Sequence, residues 1–210
     1  MSFNNLARAV RDEALPYDRR VTRLRSCVQL YRPIGFHATL SFLEAKAGRF
    51  SRDEGALPRA LDVLESSRHA WHAELRAFDD LRRLAKGRGE RRPTRAGRNP
   101  YVEMWWSGAP REGALHALSF RRDQLRTLAA GDPVAAELER CVAACLESGG
   151  LLTAEERSVL ADCRRRLGDR QSPAAWSDDT MGYFRTADLL KVVRHAEVAA
   201  AFGDDLRREI

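Results

Sequence analysis

Residues 57–85 read LPRALDVLESSRHAWHAELRAFDDLRRLA, and the periodicity of this stretch decides the fold class. Leu57, Leu61, Leu64, Arg68, Trp71, Leu75, Phe78, Arg82 and Ala85 are separated alternately by four and three residues. Such a heptad seam belongs to a helix lying against other helices. Pro58 suits a first helical turn, where its missing N–H costs nothing. A helix over 58–86 would run about 44 Å at 1.5 Å per residue. Arg68 and Arg82 interrupt the seam and sit awkwardly for a sealed core.

Helical punctuation continues on both sides. Asn4 or Asn5 is expected to cap a short helix ending near Leu15, before Pro16. Asp18 is expected to cap a second helix to Tyr31, with Val21, Leu24, Val28 and Tyr31 on one face. Phe36 to Ala47 reads as a third, closed by Gly48. Beyond residue 113, helices are expected from Ala114 to Ala130 and, after the cap Asp132 and Pro133, to Ser148. Thr153 with Glu156 forms a capping-box pattern for a helix to Gly168. Thr186 is expected to cap the last helix, to Phe202.

One segment differs. Tyr101 to Trp106 (YVEMWW) has strand-like propensity and reads as a short extended segment, or as a strap laying aromatics across the helices. The expected fold is therefore all-α, a bundle of about seven or eight helices around the long one. Residues 1–86 read as a basic helical subdomain, 87–100 as an arginine-rich linker, and 101–210 as a helical-bundle subdomain.

Composition excludes several classes. The 210 residues are 44% hydrophobic and 31% charged, which rules out collagen, a disulfide-rich secreted module and a wholly disordered chain. No apolar run reaches membrane-spanning length. Met1 to Pro16 has no apolar stretch and carries Asp12 and Glu13, unlike a secretion signal, so the expected location is cytoplasmic. Cys141 and Cys145 share a helical stripe with Leu138 and Val142 and read as core residues. With Cys27 and Cys163 isolated, they lack the paired spacings of a zinc site.

Charge is distributed unevenly. Residues 1–100 hold 21 Lys or Arg against 12 Asp or Glu, whereas residues 101–210 hold 15 against 18. Such asymmetry points to an anionic partner. Arg19, Arg20, Arg23 and Arg25 cluster in the second helix, and Arg88, Arg91, Arg92, Arg95 and Arg98 in the loop. Tyr101, Trp105 and Trp106 border that loop. Guanidinium groups track phosphates and aromatic rings stack on bases, a combination suited to single-stranded nucleic acid.

No phosphate-binding loop, nucleophile elbow or dinucleotide fingerprint is present, so no cofactor and no catalytic residue is expected. The expected function is a non-catalytic nucleic-acid-binding accessory protein that contacts RNA or single-stranded DNA through the backbone and works beside other protein subunits. The helical small subunits of CRISPR effector complexes are one class with these gross properties. Two alternatives rest on the long helix. Its seam suits a protein-interaction scaffold, in which a partner's carboxylates meet Arg68 and Arg82. Glu65, His69 and His72, spaced by four and three, suit a metal-dependent bundle enzyme.

Overall fold

The computed structural model describes residues 1–90, 99–102, 104–171 and 180–208, with side chains in the last helix described to Gly203. Among these residues there are eight α-helices and no strand: α1 (Phe3–Arg11), α2 (Tyr17–Leu30), α3 (Phe36–Ala47), α4 (Ala56–Gly87), α5 (Pro110–Ala129), α6 (Pro133–Glu147), α7 (Ala154–Arg170) and α8 (Thr180–Arg208). The all-α expectation holds. The chain divides into two compact units, Met1–Ala109 and Pro110–Ile210.

In the N-terminal unit, α1, α2 and α3 pack around the first half of α4. Leu57, Leu61 and Leu64 are fully buried there, among Phe3, Leu6 and Val10 of α1, Leu24 and Val28 of α2, and Phe42 and Leu43 of α3. Burying one such side chain is worth about 1.5–3 kcal/mol, which is what fixes α4. A buried hydrogen bond between Tyr31 Oη and Ser67 Oγ (3.0 Å) ties α2 to α4. Local signals at the first two helices are corrected: Ser2, not Asn4 or Asn5, caps α1, and α2 begins after Pro16 rather than at Asp18.

The seam changes character halfway. Beyond Ser67, Ala85 alone among the α4 residues is buried. The described residues of 99–107 run along this half of α4 as an irregular strap. Trp71 Nε1 donates to the Pro100 carbonyl (3.3 Å), and the Ser107 hydroxyl to Glu74 (3.1 Å). Trp106 packs on Phe42 with ring centres 4.4 Å apart. The strand-like YVEMWW segment is thus a strap, and its tryptophans join the N-terminal unit rather than the C-terminal one.

The C-terminal unit follows its caps. Asp132 accepts from the N–H groups of Val134 (2.8 Å) and Ala135 (3.3 Å), and Pro133 opens α6. The Thr153–Glu156 capping box forms at α7. Short connections make α5, α6 and α7 successive neighbours, and α8 packs along all three. Gly150 turns with φ +100°, and α8 passes so close that a Cβ there would lie 2.8 Å from the Ala199 carbonyl oxygen. Helix α8 begins at Thr180, not near Thr186, which is buried inside the helix. No helix among the described residues is long and apolar enough to cross a membrane.

Candidate nucleic-acid interface

Helix α2 turns Leu24, Cys27 and Val28 inward, and this orientation carries Arg19, Arg23 and Arg25 to its outer surface. None of the three has an ion-pair or hydrogen-bond partner among the described residues. Arg32, exposed just beyond the helix, is also without one. The only acid on α2 is Asp18 in its first turn, where the helix dipole favours it.

Arg20 is different and leaves the predicted set. It is 4% exposed; its Nε donates to the Val10 carbonyl (2.8 Å) and its Nη1 to Glu54 (2.6 Å). It clips α1, α2 and the α3–α4 loop together and cannot reach a phosphate. The same clip brings in two residues that sequence reading missed. Tyr17 Oη donates to the Phe50 carbonyl, so the 49–53 loop is pinned to the first turn of α2. Its acids are consumed, Asp53 by Arg59 (3.1 Å) and Glu54 by Arg20. Arg49 and Arg52 stay exposed and unpaired among the described residues, next to the end of α2 that carries Arg19.

The aromatic part of the expectation is also corrected. Trp105 and Trp106 are 8% and 4% exposed and serve the core. Tyr101 is 54% exposed, with its hydroxyl donating to Asp79 (2.6 Å), and remains accessible for stacking. Arg88 pairs with Glu90 (2.7 Å). Arg91, Arg92, Arg95 and Arg98 lie outside the described residues.

Of the residues behind the two alternatives, Arg82 is exposed, while Arg68 and Glu65 are engaged within the unit. Arg68 does not await a partner's carboxylate: its guanidinium stacks over Phe3, 4.4 Å from the ring centre, and reaches Asn4 (3.4 Å). Glu65 is engaged by Arg11, whose Nη2 meets both Glu65 and Asp62 at 2.6 Å. His69 is exposed, and burial together with Arg68 and Arg76 holds His72 below the ordinary histidine range. Among the described residues no group of three or more His, Cys, Asp or Glu could hold a metal ion, which removes the Glu65–His69–His72 site. All four cysteines are buried thiols; burial pushes Cys27 up to about 12 and Cys145 and Cys163 up to about 11, so they stay protonated and pack as apolar groups.

The fold and surface define a two-unit helical protein with a basic N-terminal face. No protein-family model, curated protein or solved structure matches the chain.

Proposed function

We propose that this protein binds nucleic acid along the phosphate backbone, as a non-catalytic accessory subunit, through Arg19, Arg23 and Arg25 of α2 with Arg32, Arg49 and Arg52 beside them. The supporting observation is that these six guanidinium groups, five exposed and that of Arg23 half-buried, lack carboxylate partners among the described residues, although acids are close by in the same unit. Arginine that is not spent internally keeps its fork of donors for phosphate. Arg91, Arg92, Arg95 and Arg98 would extend the track, and Tyr101 would stack on a base. Single strands are favoured, because their bases are open to such a ring.

The test is fluorescence anisotropy with single-stranded RNA, single-stranded DNA and duplex DNA at about 50 and 200 mM salt. With ~6 phosphate contacts, affinity should fall by a few hundredfold to a thousandfold between those salts. Replacing Arg19, Arg23 and Arg25 by Gln should flatten the log–log salt slope by about 2 on single strands. Absence of binding at the lower salt, or an unchanged slope in the variant, overturns the reading.

Contact with a further protein subunit is favoured by three exposed apolar side chains. Leu81, Leu84 and Val102, on and beside the second half of α4, are 42%, 61% and 67% exposed. Exposed apolar surface of this kind marks an interaction site. Light scattering of the purified chain, before and after Leu84→Glu, tests whether that subunit is a second copy.

A further inference from the structure

We propose that the C-terminal unit holds a binding site for a small organic anion with an apolar body, in the cleft where α5 ends, α6 begins and the first turns of α8 lie against them. The cavity measures about 770 Å³, within the range of small-molecule sites. Its described walls come from three helices, α5, α7 and α8, and from the α5–α6 connection, so it is a feature of the packed unit and not of one loop.

Thr186 supplies a hydroxyl to the cleft. It is 6% exposed and lines the cavity, yet its hydroxyl has no hydrogen-bond partner among the described residues. A threonine inside a helix commonly returns its hydroxyl to the carbonyl four residues back. Thr22 and Thr127 do so, at 2.9 and 3.0 Å. Thr186 does not, so its hydroxyl is left facing the open cleft, where it can bind solvent or a ligand.

Charge decides the class of ligand. Two arginines and one aspartate line the cleft. Arg170 donates to Asp132 (2.6 Å), and Asp132 also caps α6, so this pair is closed. Arg185 is exposed and has no carboxylate partner among the described residues. The described lining therefore carries a net positive charge located at Arg185. Leu128, Leu189 and the Tyr183 ring supply apolar wall. A neutral molecule would leave Arg185 unused, and a bare inorganic anion would leave the apolar wall in water. A carboxylate or phosphate monoester joined to a flat apolar body satisfies the guanidinium, the hydroxyl and the wall together.

The full chain, labelled with ¹⁵N, is titrated to millimolar concentrations with adenosine 5′-monophosphate, benzoate, adenosine and inorganic phosphate. The two organic acids represent the phosphate and carboxylate sources. At least one should shift the amides of Gly131, Thr186 and Leu189, with adenosine and inorganic phosphate binding at least about tenfold more weakly. Arg185→Gln, at an exposed position, should weaken the acid by about tenfold or more, and the near-isosteric Thr186→Val by about threefold. Arg194→Gln, on the exposed side of the same helix and outside the cleft, should leave affinity unchanged. The proposal is overturned if neither acid moves those amides, if adenosine binds as well as its monophosphate, or if Arg185→Gln has no effect. Shifts confined to residues 19–52 would instead report on the N-terminal basic face, so the two readings fail separately.

Discussion

Arg23, half-buried on α2, and Arg164, exposed on α7, both lie on amphipathic helices, yet their surroundings differ. Arg164 reaches Glu197 of α8 at 2.5 Å. Across the C-terminal unit, Arg126 meets Glu139, Arg166 meets Glu137 and Arg170 meets Asp132, so arginine stitches neighbouring elements of that unit together. In the N-terminal unit, Arg11, Arg20, Arg59 and Arg68 join separate elements, Arg8, Arg83 and Arg88 pair with near neighbours in sequence, and Arg19, Arg23 and Arg25 of α2 have no partner among the described residues. The cores differ in parallel. The N-terminal core rests on Phe3, Tyr31, Phe42, Phe50, Trp105 and Trp106, whereas among the described residues the buried hydrophobics beyond residue 109 are aliphatic and cysteine side chains.

The strongest way to break this contrast is Arg20→Ala. Arg20 resembles Arg19 and Arg23 in sequence but is buried, so its loss leaves the Val10 carbonyl without its donor and opens a void beneath α2. Since Glu54 is 64% exposed, most of the cost is on the Val10 side, and the expected destabilisation is about 2 kcal/mol. Urea unfolding followed by circular dichroism measures it. A change below about 0.5 kcal/mol would mean that Arg20 is an ordinary surface residue.

An effect of similar or slightly smaller size separates the units by pH. Burial, reinforced by Arg121, Arg194 and Lys191, pushes His195 down to about 3 from an ordinary 6.5. The folded chain therefore resists protonation where the unfolded chain accepts it. Stability is full above the unfolded value and falls as pH drops from about 6.5 toward 3, by about 2 kcal/mol at pH 5. His116, also held low chiefly by burial, acts in the same direction and belongs to the same unit. In the N-terminal unit His37 and His69 are exposed, and His72 is held low chiefly by burial. Urea midpoints at pH 7.5 and 5 should differ for the wild type and converge in His195→Gln. An unchanged difference in the variant would place the pH sensitivity elsewhere.

Much of this architecture is legible in sequence because its signals are local. The bounds of α3, the Asp132 cap and the Thr153–Glu156 box depend on residues within one turn of each other. The start of α8 is not legible: Thr186 has the right chemistry for a cap, but the helix continues through it from Thr180. The heptad seam correctly announces α4 but not that its core role stops near Ser67, where the strap takes over. At the interface, composition reveals the arginines of α2, but not which of them turns inward. That depends on Val10 and Glu54, ten and thirty-four residues away. Arg49 and Arg52 join the surface only through the Tyr17–Phe50 hydrogen bond, a tertiary contact with no sequence pattern.

The smallest expected effects sharpen the contrast most directly. Asp132→Ala removes both a helix cap and the partner of Arg170, and should cost about 1 kcal/mol. Arg23→Ala removes a group with no described partner and should change stability by less than about 0.5 kcal/mol. The two differ in what they do to binding. Arg23→Ala should weaken single-stranded nucleic acid at about 50 mM salt and reduce the salt slope by about 0.7, one phosphate contact, while Asp132→Ala leaves both unchanged. If instead Arg23→Ala destabilises the fold as much as Asp132→Ala, the outward arginines of α2 are structural after all. The contrast between the arginines that stitch α6, α7 and α8 together and those that α2 holds for a partner then fails at its root.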